Sequence, residues 1–180
     1  MKRLLVVSAF IIGSLSGAFA GENTLENVKE RGYLKCAVNS GVFGLSYTDD
    51  NGKWQGIDVE VCRAISAAIF GNKDNVKFIP TTTKNRFTIL QSGEADVLSR
   101  NSTWTLSRST DLGLDFVGVT WYDGQGFLIN KGLGVNSATE LDGATVCIEP
   151  GTTTELNLAE YFKKIEINYE PVNVDTFDDA

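Results

Sequence analysis

The sequence predicts an α/β protein with parallel sheets, arranged as two lobes in tandem. Three observations predict it. Short apolar strands alternate with amphipathic helices, three of the helices stop at a glycine, and the alternation starts again beyond an irregular stretch near residues 118–126. With 42% hydrophobic and 22% charged residues, a chain of 180 residues can bury a core of useful size.

Asn23 and Glu26 have the spacing of a capping pair that opens a short helix ending at Gly32. Tyr33 to Val38 reads as a strand with Leu34, Cys36 and Val38 on one face. Residues 41–56 form a loop region, in which Asp50-Asn51-Gly52 is a hairpin signal. From Asp58 the period becomes helical, with Val61, Ala64, Ile65, Ala68 and Ile69 on one stripe and Gly71 as the stop. A strand at Val76–Ile79 is expected to break at Pro80. A helix follows around Arg86–Gln91, ending at Gly93, and then a buried strand at Ala95–Leu98. The second half repeats the theme. Gly126–Asn130 is expected as a strand, Ser137 with Glu140 caps a short helix, and Ala144–Ile148 is a strand. Thr152 with Glu155 opens a longer helix carrying Leu158, Tyr161, Phe162 and Ile165 on one face, and Ile165–Val172 closes as a strand.

Several function classes drop out. The chain contains no histidine, which excludes Ser-His-Asp and Cys-His nucleophilic machinery, histidine acid–base catalysis and histidine-based metal or haem ligation. Its net charge of -7 offers no basic footprint for nucleic acid. The acidic pairs Asp58/Glu60 and Asp178/Asp179 suggest paired-carboxylate catalysis only superficially, since the first pair sits where a helix dipole stabilises negative charge.

The first twenty residues read as an export signal: Lys2 and Arg3, an apolar run over Leu4–Leu15, then Ala18-Phe19-Ala20 as a cleavage site. Cleavage is expected after Ala20, giving an exported, soluble mature chain. The expected organisation is 1–20 signal peptide, 21–120 first lobe and 121–180 second lobe. The second lobe is shorter than an independent domain usually is, and the chain stops at Asp178-Asp179-Ala180 without a terminating feature, so that lobe is expected to be incomplete in this chain. Cys36, Cys62 and Cys147 are an odd set for an oxidising compartment and lack metal-binding spacing, so no metal is expected. Either one thiol is buried and inert or its partner lies outside this chain. A Cys36–Cys62 bridge is possible because a strand and the helix after it lie close; Cys147 would then be the one that pairs elsewhere.

Four stretches carry a resemblance. Gly56-Ile57-Asp58-Val59-Glu60-Val61-Cys62-Arg63-Ala64 is similar to the signature of the family 3 bacterial extracellular solute-binding proteins, the polar amino-acid receptors of ABC importers. Residues Arg100–Arg108 (RNSTWTLSR), Trp121–Phe127 (WYDGQGF) and Gly151–Asn157 (GTTTELN) follow in the family's order and resemble its general L-amino-acid branch. The resemblance implies a two-lobed, type II periplasmic-binding-protein-like fold with a hinge crossing near Gly118–Gly126. It implies a periplasmic receptor for L-amino acids of polar or broad specificity that serves an ABC transporter membrane permease, a monomer without cofactor or catalytic residues. It also implies a ligand-binding set. Arg108, in the Thr105-x-x-Arg108 element, clamps the carboxylate, and Asn101 and Thr103 meet the ammonium. Gly151, Thr152 and Thr153 complete the carboxylate cradle at a helix start.

Plainer readings stand beside these. Arg108 could pair on the surface with Asp111, and Thr152 with Glu155 is a capping box in its own right. Trp104 and Trp121 suit packing or a hinge wall better than ligand stacking, and Phe43 suits core or lid packing as well as ligand contact. The resemblance also leaves an alternative of a different class, an exported cyclohexadienyl or arogenate dehydratase on the same scaffold.

Overall fold

The computed structural model describes residues 23–176 and 179. The expected signal peptide over 1–20, its cleavage position and Asp178 lie outside the described residues.

Helix α1 (Thr24–Arg31) ends on Gly32, whose positive φ of 80° lets its N–H reach the carbonyls of Val28 and Lys29. The expected side-chain cap by Asn23 does not form. At ψ 23° its backbone is not in the extended conformation from which a capping side chain reaches the first turn. Strand β1 (Leu34–Asn39) leads into a small antiparallel meander of β2 (Gly41–Val42), β3 (Ser46–Thr48) and β4 (Trp54–Gln55). This meander occupies the region expected as loop, and its last turn is the Asp50-Asn51-Gly52 hairpin, tied by Asp49 Oδ1 accepting from the N–H groups of Asn51 and Lys53.

Helix α2 (Ile57–Phe70) begins under close packing. Gly56 has φ 112°, and a Cβ there would lie 2.2 Å from the Leu45 carbonyl oxygen. That tight approach lets the Gly44 and Leu45 carbonyls accept from Ile57 and Asp58 at the helix start. The helix stops at Gly71 as expected, but its buried stripe is Val59, Cys62, Arg63 and Ser66 rather than the expected one. The Cys36–Cys62 disulfide pins that face to β1, with both sulfur-bearing residues fully buried. Of the expected stripe, Ile65 and Ile69 still pack against the core from its side, Val61 turns to a groove shared with Phe87, Leu90 and Val97, and Ala64 and Ala68 face outward.

Strand β5 (Val76–Thr81), helix α3 (Arg86–Gln91) and strand β6 (Val97–Leu98) complete the first sheet, in the order β5-β1-β6 and parallel throughout. β5 does not break at Pro80 but runs through it to Thr81. It is an edge strand, where the missing N–H of a proline removes no ladder bond. Val28, Leu34, Cys36, Val38 and Cys62 form the core of this half, ringed by Trp54, Ile65, Phe78 and Val97.

Helix α4 (Leu106–Thr110) is one short turn after β6. The strand expected at Gly126–Asn130 does not form; the segment is held by side-chain packing rather than by pairing with an edge of the two-stranded sheet that follows. Phe127 packs there on Phe162 at 5.5 Å, while Leu128 is fully exposed. Two 3₁₀ turns, Lys131–Leu133 and Ala138–Glu140, precede β7 (Ala144–Ile148), α5 (Thr153–Lys164) and β8 (Tyr169–Asn173). β8 starts later than expected because the chain turns at Glu166, at φ 57°, before it can extend. β7 and β8 pair in parallel under a second core of Leu141, Leu158 and Phe162, with Ile165 and Tyr169 against it.

Candidate functional site

Parallel strands of an α/β sheet end on the edge where loops and helix starts can meet a ligand. Here β1, β5 and β6 deliver Asn39, Thr81 and the Ser99-Arg100 step to that edge. The segment from Arg100 to Arg108 crosses it. Asn101 Oδ1 accepts from Asn39 Nδ2 at 3.2 Å, fixing the segment to the end of β1.

Arg108 does not pair with Asp111 among the described ion pairs; it turns inward. It is 8% exposed, and Nη1 donates to the Thr103 carbonyl at 2.6 Å. Its guanidinium lies 5.0 Å from the Phe87 ring, and the guanidinium of Arg86 lies 4.5 Å from the same ring. One aromatic side chain thus stiffens two cations. Thr105 is the N-cap of α4, with Oγ1 accepting from the Arg108 N–H, so its hydroxyl serves the helix that carries Arg108.

Across from this segment, the turn before α5 contributes Glu149, Gly151, Thr152 and Thr153. Thr152 Oγ1 accepts from the Glu155 N–H and donates to the Glu149 carbonyl, while Glu155 accepts from the Gly151 N–H. Both the capping box and the tight turn are therefore present, and the first-turn N–H groups of α5 point away from the helix body. The two sides touch. The hydroxyls of Thr103 and Thr153 are 3.0 Å apart, Arg86 Nη2 donates to the Gly151 carbonyl at 3.1 Å, and Thr83 Oγ1 donates to Glu149 Oε1 at 2.5 Å. Of the residues expected from the sequence, Thr103 meets Thr153 directly, Arg108 is tied to the Thr103 carbonyl and Asn101 to Asn39, Gly151 is met by Arg86, and the Thr105 and Thr152 hydroxyls are engaged in caps.

Sequence reasoning missed Thr83, Arg86, Phe87, Arg100 and Glu149. Arg100 was the one with a readable signal, as a charged residue directly after a buried strand, at the sheet edge where ligands bind. It is 9% exposed and donates through Nη2 to Thr83 Oγ1 at 3.1 Å. Burial lowers the pKa of all three arginines. Arg86 is pushed down to about 10, with the neighbouring Arg100 and Arg108 charges adding to the effect and Glu149 opposing it. Three buried guanidinium groups therefore gather near the start of α5, with Glu149 and Asp58 as the carboxylates that act on them.

Residues 34–174 match the bacterial extracellular solute-binding proteins, family 3. The chain belongs to this family. Among members of family 3, it is 52% identical over 174 residues to the glutamate/glutamine/aspartate/asparagine-binding protein BztA of Rhodobacter capsulatus, covering 97% of this chain and 52% of that protein. It is 50% identical to the general L-amino acid-binding periplasmic protein AapJ of Rhizobium johnstonii, over 96% of this chain and 51% of that one. The chain spans about half the length of these curated relatives. A solved ABC transporter periplasmic binding protein from Brucella ovis, with glutathione bound, superposes with a TM-score of 0.82 at 52% identity, over 87% of this chain and 49% of that one. This family 3 chain has the type II α/β architecture of periplasmic amino-acid-binding proteins. Its near relatives are named as binding proteins rather than enzymes. Among the described residues, no helix is long and apolar enough to cross a membrane.

Proposed function

We propose that this protein is a periplasmic receptor that closes two lobes, residues 21–120 and 121–180, around an L-amino acid and delivers it as a monomer to the membrane permease of an ABC importer. The observation that carries this reading is the link from Arg108 to the start of α5 through Thr103: the buried guanidinium is held by one nitrogen to the Thr103 carbonyl, and the Thr103 hydroxyl meets that of Thr153 in the other half. Its remaining N–H groups take the ligand carboxylate, and the first-turn N–H groups around Thr153 complete the cradle as the halves close. Asn101 and the Thr103 hydroxyl meet the ammonium. Thr105 acts through α4, by aiming Arg108, and Thr152 acts through the cap that presents the α5 N-terminus. The names of BztA and AapJ support amino acids as the ligand class. Glutathione in the Brucella relative fits the same scheme, because its γ-glutamyl end carries a free α-amino acid group.

Capture and release require no bond to be broken, so a site of cations and hydroxyls without a nucleophile–base pair suffices. Micromolar affinity corresponds to about −8 kcal/mol, and each charge-assisted hydrogen bond contributes roughly 1.5–3 kcal/mol. Calorimetry on the protein expressed from its entire reading frame is expected to show that Arg108→Ala weakens amino-acid binding at least a hundredfold, with Arg108→Lys in between. Affinity of Arg108→Ala within threefold of the parent overturns the assignment.

A further inference from the structure

Where the two halves of the chain meet lies a cavity of about 100 Å³, lined by Asn39, Thr81, Thr83, Arg100, Glu149 and Asp175 among others. Its walls come from both halves of the chain and mix polar side chains with apolar surface, Val42 included. The volume accommodates several water-sized groups, which is enough for a short polar side chain. It adjoins the segment that carries the clamp: Arg100 in its wall is followed directly by Asn101, and Asn101 accepts from Asn39 of the same cavity.

Two side chains set its chemistry. Arg100 is nine-tenths buried, and its Nε–H has no hydrogen-bond partner among the described residues, although such a donor buried in protein is ordinarily satisfied. Glu149, on the opposite wall, is held in place by the Thr83 hydroxyl, which also accepts from Arg100 Nη2. Thr83 therefore fixes a strong donor and a strong acceptor side by side. Asp175, the other carboxylate of the cavity, is paired with Lys84. A carboxylate entering here would gain Arg100 but face Glu149, and an apolar side chain would leave both unsatisfied. A primary carboxamide, with its oxygen on one side and its NH₂ on the other, satisfies both.

Resting on the receptor reading, we infer that this cavity is the side-chain pocket and selects amino acids with a carboxamide side chain, asparagine and glutamine, Arg100 donating to the amide oxygen and Glu149 accepting from the amide nitrogen. Arg100 sets the requirement for a side-chain oxygen, and Glu149 sets the preference for amide over acid.

The test is calorimetric titration of the protein expressed from its entire reading frame with L-glutamine, L-asparagine, L-glutamate, L-aspartate and L-alanine. The parent is expected to favour each amide over its acid. Arg100→Met should weaken glutamine and asparagine at least tenfold while changing alanine less than threefold. Glu149→Gln, which keeps the shape of the wall, should shift the amide-to-acid ratio at least tenfold toward the acids and serves as the readout if Arg100→Met does not fold. An equal loss for all five ligands in Arg100→Met, or an amide-to-acid ratio unmoved by Glu149→Gln, overturns the inference. Parent binding of alanine as tight as glutamine also overturns it and leaves the receptor reading standing, whereas no binding of any of the five overturns that reading as well.

Discussion

Arg108 and Arg86 are both arginines in short helices, yet only one of them could be read from the sequence. Arg108 sits in a Thr-x-x-Arg spacing whose threonine caps the helix, and the family resemblance gave that spacing a meaning. Arg86 follows Asn85 in a helix of six residues and looks like any solvated surface cation; only the folding of Gly151 and Thr83 onto it makes it interior. Asp58 shows the same effect with the opposite charge. It is 1% exposed, and neither carboxylate oxygen has a hydrogen-bond partner among the described residues. Burial pushes its pKa up to about 6, against the pull of Arg100. The folded chain therefore holds this proton more tightly than the unfolded chain, whose aspartate titrates near 4. Its contribution to stability is most favourable below about pH 4 and declines as pH rises to 6, after which the buried charge costs roughly 3 kcal/mol. Denaturant melts are expected to show Asp58→Asn flattening the pH dependence between 4 and 6 and stabilising the protein at pH 7.5. An unchanged pH profile would contradict this account.

At the level of elements, the glycine stops and the apolar periods were readable because they act within one turn of the chain. α1, α2 and α3 end within a residue or two of the glycines that mark them. What escaped was whatever depends on a distant partner. The buried face of α2 is set by the bridge to β1, and Gly126–Asn130, apolar enough for a strand, packs Phe127 on Phe162 of α5 instead of pairing. The meander β2–β4 consists of pairs only two or three residues long, below what periodicity can register. The start of α2 rests on Gly56, where no side chain fits against the Leu45 carbonyl. Gly56→Ala must move either the β3 loop or the helix start, adding backbone strain to a lost close contact. A loss of about 2–4 kcal/mol by chemical denaturation is expected, whereas Gly124→Ala, at an open position, should change little. Equal stability of the two variants would show that the approach is not tight in solution.

Across the whole molecule, two cores are joined by a long irregular crossing and by a handful of polar contacts, while the first core is also cross-linked. Tandem lobes could be inferred from the restart of the strand–helix pattern, but the polar contacts between them could not, because each joins residues about 50 to 91 positions apart. The Cys36–Cys62 bridge closes a loop of 26 residues in sequence separation, which the chain-entropy relation values at on the order of 3 kcal/mol. Replacing both cysteines by serine is expected to lower unfolding stability by at least that much, since two hydroxyls would also be buried without partners, and the loss should appear in denaturant midpoints. A double variant as stable as the parent would mean the first core does not depend on its cross-link. In a chain of these 180 residues, Cys147, exposed and unbridged among the described residues, should be alkylated without reduction while the other two are not.

The proline on β5 reaches further than its own strand. Sheets grow when a free rim offers donors and acceptors to a newcomer, and Pro80 leaves that rim one donor short opposite the side occupied by β1. Fibril-like stacking through β5 is thereby discouraged, and any strand recruited to this sheet is steered to the far side, next to β6.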